Sequence, residues 1–392
     1  MTKLFLIILF SLALNLSFGQ SITRIDGTKI TTKQLQHKIE DLMKKANVSG
    51  VGITVFNDNQ PLYSNAFGKS DVQNNIPFQS TSTVCTASFS KMLFAYSVMQ
   101  LVDEKILDLD KPIVEYLPQP LYEYEIKDWI GGYQDLKDDV RYEKITARMC
   151  LTHNTGLPNW RWMENDKKLK IKFDPGTRYS YSGEGIHLLQ FVIEQVIGKD
   201  YETIAQERVF RPLNMLHTSF VWQPYFEANY CYAHDADGKP YEVAKWPKAN
   251  AAGSMNTTLE DFTLFYSALI NGRGLTKKSF NEMTQLQVRI KSKRQFGPLS
   301  KIDGNDNDNI TLGYGLGVGV MTTPAGKAFF KEGHNDGMGL YSICYTDKKT
   351  AVVIMTNNDN GESVFKELLE YSIGDIYTPW QWENYIPYDD KK

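Results

Sequence analysis

Strand patterns stand at both ends of this chain, and a long stretch without them lies between. Near the N-terminus, the apolar runs 51–56 and 61–67 flank the turn sequence Asn57-Asp58-Asn59, which predicts a β-hairpin. Near the C-terminus, strand character returns in residues 314–321, 328–331, 340–345 and 351–356. We therefore expect one antiparallel sheet built from both chain ends.

Helical patterns surround and separate these strands. Apolar periodicity predicts helices over residues 31–46, 86–104, 258–272, 275–287 and 362–373, and residues 105–250 are helical and loop-rich. The predicted fold class is α/β (α+β), with the sheet flanked by helices and a mostly helical domain inserted into it. The predicted domains are 20–85 with 251–392 for the sheet, and 86–250 for the helical insertion. Ligands favour the seam between such domains.

Composition limits the partners of the chain. With 392 residues, of which 42% are hydrophobic and 23% charged, it has the make-up of a soluble globular protein of one large or two interleaved domains. The formal net charge of −3 gives no reason to expect nucleic acid or an anionic membrane as partner. The four cysteines are too sparse for a disulfide scaffold and leave room for one bridge. The sequence does not indicate the oligomeric state.

The first 19 residues form a segment of their own. Lys3 precedes an apolar stretch over residues 4–14, and Ser17 and Gly19 are small residues at the −3 and −1 positions of a cut before Gln20. This pattern predicts a signal peptide and a periplasmic or secreted protein without a stable membrane anchor, because the stretch is short for a membrane span. An uncleaved N-terminal anchor is the alternative.

The sequence Ser88-Phe89-Ser90-Lys91 opens a long apolar helical pattern and carries the main chemical signal. Positions i and i+3 of a helix share a face, so Ser88 and Lys91 are expected to lie side by side. The helix N-terminus favours negative charge on Ser88, and burial disfavours the charged form of Lys91, which makes the lysine a candidate base. This is the layout of a serine nucleophile activated by lysine.

Spacing alone does not separate this interpretation from chance. A serine three residues before a lysine arises about once in a chain of this length from ordinary composition. The pair Ser363 and Lys366 has the same spacing, follows a polar run, and fits a serine that caps an amphipathic helix. The decision therefore depends on the rest of the chain.

Two further segments have the composition of site elements. A Pro-Gly turn at 175–176 leads into Tyr179-Ser180-Tyr181-Ser182, where Tyr181 is a candidate proton shuttle, although most tyrosines are packing residues. The glycine-rich segment 333–339 holds His334, Asn335 and Gly337 before a strand, and its backbone N–H groups are candidates for an oxyanion hole. A plain β-turn is the alternative for that segment.

The sequence contains no clear motif for binding a metal or a cofactor. The six histidines form no ligand pair at helical spacing, and the acidic and amide-rich stretch 303–309 lacks the glycine and the final acidic residue of a calcium loop. No cofactor and no metal are expected.

Taken in order, these segments resemble the serine β-lactamase-related family of the class C type, which also holds DD-peptidases, D-aminopeptidases and esterases. The resemblance extends over about residues 30–375. Three of the matching segments are the Ser88 to Lys91 motif, the Pro-Gly and Tyr-Ser-Tyr-Ser segment, and the histidine-glycine segment before a strand. In addition, residues 145–158 are similar to the family stretch LLTHTSGLP, and residues 251–257 are similar to the family stretch AGGLxST. The resemblance implies Ser88 as nucleophile, with Lys91 and Tyr181 handling its proton.

The chain departs from the family pattern at two positions. The family usually has Tyr-x-Asn, whereas Gly183 stands in place of the asparagine, and Glu184 either takes over part of its role or faces solvent. The family's third element is usually Lys-Thr-Gly or His-x-Gly, and here it reads His334-Asn335-Asp336-Gly337, without the permanent charge of a lysine that binds a substrate carboxylate.

The resulting functional prediction is an exported serine hydrolase that cleaves an ester or amide of a small-molecule or peptide substrate through an acyl-enzyme. Ser88, Lys91 and Tyr181 are the predicted catalytic residues, and His334, Asn335 and Gly337 the predicted substrate-binding or oxyanion residues. The loops 160–163 and 222–225 are the expected pocket walls. An esterase or peptidase-like amidase comes first, a true β-lactamase second, and an inactive penicillin-binding-like module is the alternative from another class.

Overall fold

The computed structural model describes residues 20–126 and 131–390, so the predicted signal peptide lies outside the described residues. The strands are, in chain order, β1 (Ser21–Thr23), β2 (Lys29–Thr31), β3 (Gly50–Asn57), β4 (Gln60–Asp71), β5 (Ile76–Pro77), β6 (Val84–Cys85), β7 (Asn256–Thr257), β8 (Val288–Arg289), β9 (Gly313–Tyr314), β10 (Gly319–Thr323), β11 (Gly326–Asn335), β12 (Met338–Tyr345) and β13 (Thr350–Thr356).

The α-helices are α1 (Thr32–Ala46), α2 (Phe89–Asp103), α3 (Ala147–Leu151), α4 (Gly183–Ile197), α5 (Tyr201–Ala205), α6 (Leu259–Ile270), α7 (Lys277–Thr284), α8 (Phe365–Ile373) and α9 (Trp380–Glu383).

Nine of the described strands form one antiparallel sheet. Their order is β5-β4-β3-β13-β12-β11-β10-β9-β8, so the N-terminal strand β3 pairs directly with the C-terminal strand β13. This confirms the predicted fold class, an α/β (α+β) fold whose antiparallel sheet is built from both chain ends. Within residues 86–250, the described part contains helices and turns and no strand, and the predicted domain boundaries themselves stay a prediction.

Apolar clusters cover both faces of the sheet. Along β13, Val352 and Ile354 belong to the cluster that contains the buried stripe of α1, whereas Val353 and Met355 belong to the cluster that contains α2 and α6. The assignment alternates because successive side chains of a strand point to opposite faces. Strands that are buried on both faces need apolar residues at nearly every position, which explains the continuous apolar runs in the sequence.

Helix α2 runs through the interior next to the sheet. Twelve of its fifteen residues are buried, so it lacks the polar face of an ordinary surface helix. It packs against β11 and against helix α7. Ser88, the residue directly before α2, is therefore attached to one of the most firmly enclosed elements of the molecule.

The structure corrects one predicted strand. Residues 314–321 were expected to form a single strand but are divided between β9 and β10 by a turn in which the Gly315 N–H donates to the Val318 carbonyl. Gly317 in this turn has a φ of 77°, which glycine adopts without strain and which a continuous strand does not allow. The glycines of this segment therefore break the strand that its apolar residues suggest.

In the described parts of the chain, no helix is both long and apolar enough to span a bilayer. The four cysteines are free thiols, and three of them are buried.

Candidate active site

Five of the six predicted site residues line one cavity of about 500 Å³ between α2, the segment before α4, and the end of β11. These are Ser88, Lys91, Tyr181, His334 and Asn335. The other lining residues are Ala87, Asn159, Trp160, Trp162, Met163, Ala244, Trp246, Asn250, Ala252, Gly253, Phe296 and Glu332.

The backbone before α2 fixes the position of Ser88. Thr86 is held by two hydrogen bonds to the Met255 carbonyl, one from its N–H at 2.9 Å and one from its hydroxyl at 2.8 Å. Ala87 then adopts a left-handed conformation with a φ of 43°, which costs a residue with a Cβ about 1–3 kcal/mol and persists only where the surroundings impose it. Ser88 is the N-cap of α2, but its hydroxyl makes no capping hydrogen bond. The hydroxyl is thus left for other partners.

Lys91 lies one helical turn further and reaches back to Ser88. Its Nζ is 3.1 Å from Ser88 Oγ and 2.7 Å from the Ala252 carbonyl oxygen, and only 1% of the residue is exposed. Burial, followed by repulsion from Lys331, holds the pKa of Lys91 well below its usual value. A neutral amine in this place donates to the Ala252 carbonyl and has a lone pair to accept the Ser88 proton.

Tyr181 completes the group from the opposite side. The Ser182 hydroxyl caps α4 by accepting from the Gly185 N–H at 2.9 Å, which fixes the preceding extended segment. Tyr181 is buried, hydrogen-bonds the Ser88 side chain, and has its ring centroid 4.9 Å from Lys91 Nζ. Burial raises the pKa of Tyr181 despite the nearby Lys331 cation, so the residue is a neutral phenol. Tyr181 is therefore able to pass a proton and is a poor candidate for the base.

Lys331 is a site residue that the sequence analysis missed. Its Nζ is fully buried and donates to Tyr181 Oη at 3.3 Å, to Glu332 Oε1 at 2.9 Å and to the Glu332 carbonyl at 3.0 Å. Burial acts to lower the pKa of Lys331, but the Glu332 carboxylate and Tyr181 outweigh it and raise the pKa. The signal in the sequence was Lys331-Glu332-Gly333, a Lys-x-Gly triplet directly before the histidine that had been aligned with the third element.

His334 and Asn335 lie at the last two positions of β11, at the cavity rim. His334 Nδ1 is 2.7 Å from Glu362 Oε1, and this carboxylate raises the pKa of His334. Two thirds of the His334 side chain is exposed, so it is accessible to a ligand entering the cavity.

Gly337 is the one predicted site residue that does not line the cavity. It lies in the two-residue turn between β11 and β12, and its N–H donates to Asp359 Oδ1 at 2.7 Å. A donor that is already bound to a carboxylate is not available to a developing oxyanion. This hydrogen bond argues against Gly337 as an oxyanion donor, whereas Ser88, His334 and Asn335 all line the cavity.

The position of the family asparagine is occupied by an aromatic ring. A Cβ built on Gly183 would lie 2.6 Å from two ring atoms of Trp160, so the indole fills the space beside this glycine. Glu184 neither replaces the asparagine nor faces solvent, contrary to both expectations. It is fully buried in a two-pronged ion pair with Arg161, at 2.9 Å from Nε and 2.8 Å from Nη2.

Aromatic side chains form the cavity walls. Trp160 and Trp162 are stacked, with ring centroids 4.7 Å apart, and Phe296 contacts the Tyr181 ring. The loop 160–163 therefore lines the cavity as expected, whereas no residue of 222–225 is among the lining residues and Trp246 is found instead. No group of three His, Cys, Asp or Glu side chains suited to a metal occurs within residues 20–126 and 131–390.

His153 supports Tyr181 from behind, a role that its sequence context did not reveal. Its ring centroid is 4.2 Å from that of Tyr181, and Nδ1 accepts a hydrogen bond from the Ser182 N–H at 3.2 Å. Burial, with Lys91 and Lys331 nearby, holds the pKa of His153 well below its usual value, so the ring is neutral.

The Gly183 contact gives a stability prediction. Replacing a glycine in the middle of a helix by alanine usually stabilises a protein by about 0.5–1 kcal/mol, and at Gly183, the first residue of α4, a smaller gain is expected. In Gly183→Ala, the overlap with the rigid Trp160 ring should reverse the sign and destabilise by about 1–3 kcal/mol. The urea unfolding midpoint measures this.

Gly253→Ala is the matched control, because a Cβ at Gly253 has no neighbour within 4 Å and should leave the midpoint nearly unchanged. A Gly183→Ala protein as stable as the parent would mean that Trp160 moves freely and does not fix this wall.

Comparison with known proteins places most of the chain within one protein family. The family profile described as Beta-lactamase matches residues 35–372. A Bacillus subtilis relative whose name assigns it to the penicillin-binding proteins is 25% identical over 270 residues, which are 65% of this chain and 63% of that protein. A β-lactamase of Yersinia enterocolitica is 22% identical over 369 residues, 85% of this chain and 89% of that protein.

Among solved structures, the octameric penicillin-binding protein homologue from Pyrococcus abyssi shares the fold, with a TM-score of 0.67 at 20% identity. The match covers 89% of this chain and 80% of that chain.

Proposed function

This chain belongs to the β-lactamase family, a family of serine hydrolases, and on that premise we propose that it hydrolyses an ester or amide through an acyl-enzyme. The observation that carries the proposal is the 3.1 Å contact between Ser88 Oγ and the buried Nζ of Lys91. Burial lowers the pKa of this lysine, which supplies a base at neutral pH.

The proposed reaction has two halves. Ser88 Oγ bonds to the carbonyl carbon while its proton passes to Lys91, and the Ser88 N–H stabilises the oxyanion by about 3 kcal/mol. The bond from that carbon to the leaving oxygen or nitrogen then breaks as Tyr181 gives its proton to the leaving group and regains one from the protonated Lys91. Water next attacks the acyl carbon while one of its protons passes to Lys91, and the bond from that carbon to Ser88 Oγ breaks as this proton returns to Ser88 Oγ and the acid leaves.

The cavity supports an ester or amide with an apolar group. Trp160, Trp162, Met163, Trp246 and Phe296 line it, and apolar walls with few convergent polar groups are typical of small-molecule sites. We place an esterase or peptidase-like amidase first. True β-lactamase activity is the second candidate, favoured by the relative of that name that spans most of this chain. A binding module without turnover is the third.

Removal of the nucleophile tests the proposal. Ser88→Ala should lower the hydrolysis of p-nitrophenyl butyrate by about a thousandfold or more, and Lys91→Met should cost a similar factor, because residues that act as a unit lose activity together. The initial rate of p-nitrophenol release is the measurement.

Ser363→Ala is the matched control, since Ser363 has the same spacing to a lysine but donates its hydroxyl to the Asn360 carbonyl and is not among the residues that line the cavity. Equal rates for the parent and Ser88→Ala would end the proposal and favour the binding module.

The pH dependence tests the role of Lys91. Because its neutral form is the base, kcat/KM should fall as the pH drops through the lowered pKa of Lys91 and should be level above that pKa. A rate that keeps rising tenfold per pH unit up to about pH 10, the ordinary pKa of lysine, would contradict a neutral Lys91.

Glu362 raises the pKa of His334, and titration of His334 would add a second limb to the plot of kcat/KM against pH. In His334→Gln, the pH at which kcat/KM falls because Lys91 is protonated should stay the same, even if the absolute rate changes.

We also propose that the protein acts outside the cytoplasm, on the strength of the charged, apolar and small residues at positions 1–19. N-terminal sequencing of protein purified from its native location should begin at Gln20. A protein that retains residue 1 and sediments with membranes would support the uncleaved anchor instead.

A further inference from the structure

Each cation at the β11 end of the cavity already has a carboxylate partner within the protein. Lys331 pairs with Glu332 at 2.9 Å, and His334 pairs with Glu362 at 2.7 Å. Lys91 is the basic lining residue besides His334, and burial lowers its pKa, which favours the neutral amine. The cavity therefore presents no uncompensated positive charge from the described residues to a substrate.

Lys331 has no hydrogen left to give to a substrate. An ammonium group has three donors, and those of Lys331 go to Tyr181 Oη, Glu332 Oε1 and the Glu332 carbonyl. The residue is also fully buried. A substrate carboxylate would have to displace one of these bonds and enter beside the Glu332 carboxylate.

Glu332 has the opposite property, an acceptor without a donor. Its Oε1 accepts from Lys331 Nζ and from Gln295 Nε2 at 2.8 Å. Its Oε2 is buried and has no hydrogen-bond partner among the residues that the structure describes. The side chain is 6% exposed and lines the same cavity as Ser88, two hydrogen bonds away from the Tyr181 hydroxyl, and a turn of its carboxyl group is needed to bring the buried Oε2 to a ligand there. A buried carboxylate oxygen without a donor is costly, and a ligand that supplies one relieves that cost.

We propose that Glu332 determines substrate specificity by selecting a hydrogen-bond donor, best a protonated amine, on the ester or amide and by rejecting a carboxylate at the same place. This inference rests on the proposed hydrolase function and narrows its substrate class. Substrates that depend on a carboxylate next to the scissile bond are expected to be poor. The charge-assisted bond from an ammonium to Oε2 is worth about a tenfold or larger gain in kcat/KM over a neutral donor.

Two matched ester series test the proposal with the full mature protein. In the first, the phenol of a phenyl butyrate carries a para aminomethyl, hydroxymethyl or carboxymethyl group. In the second, the acyl group of a p-nitrophenyl ester is 6-aminohexanoyl, 6-hydroxyhexanoyl or adipoyl. In at least one series, kcat/KM should fall from amine to hydroxyl to carboxylate, with about a hundredfold or more between the ends.

Glu332→Gln keeps the shape and removes the charge. It should reduce the ratio of amine to carboxylate turnover by at least tenfold, because the amine loses its ion pair and Lys331 is no longer neutralised. Glu260→Gln removes the same charge from an exposed position on α6 and should leave the ratio as it is.

The outcomes separate the two proposals. Ser88-dependent hydrolysis with equal rates across both series, or with the carboxylate preferred, would overturn the role of Glu332 and leave the hydrolase standing. Absence of Ser88-dependent hydrolysis for all six esters would overturn both. The order of kcat/KM within each ester series is measured on the parent protein, so this test does not depend on the stability of Glu332→Gln.

Discussion

The burial of Lys91 is the constraint on which the rest of the site depends. An ammonium removed from water loses its hydration, and at this position it faces a hydroxyl, a carbonyl and another cation instead of a carboxylate. The neutral amine is the form that such surroundings favour. The sheet, α2 and the helical segment are needed to enclose this side chain, so the architecture and the proposed chemistry have a common cause.

The two lysines of the site show how surroundings set a role. Their Nζ atoms lie at similar distances from the Tyr181 ring centroid, 4.9 Å for Lys91 and 5.2 Å for Lys331. The Glu332 carboxylate raises the pKa of Lys331, whereas Lys91 contacts no anion among the residues that the structure describes and its pKa is lowered. Lys331 in turn lowers the pKa of Lys91, which favours the neutral form that the proposed mechanism requires beside Ser88.

Local patterns predicted the parts of this structure that depend on local geometry. The sheet from both chain ends followed from strand periodicity, and the proximity of Ser88 and Lys91 followed from helical spacing. Contacts between distant segments were not readable in this way: Lys331 meets Tyr181 across 150 positions, and the Trp160 ring fills the space beside Gly183. The turn that directs the Gly337 N–H to Asp359 is equally a tertiary feature. A Lys-x-Gly triplet was present in the sequence, but only the fold shows that it lies against Tyr181.

The central claim is that Lys91 activates Ser88 as the nucleophile. Covalent labelling of the protein with an alkyl fluorophosphonate, followed by peptide mass mapping, tests it without any assumption about the substrate. The account predicts one phosphonylated residue, Ser88, labelled readily at neutral pH and only slowly in Lys91→Met. An unlabelled Ser88, or equal labelling of Ser88 and Ser363, would contradict it.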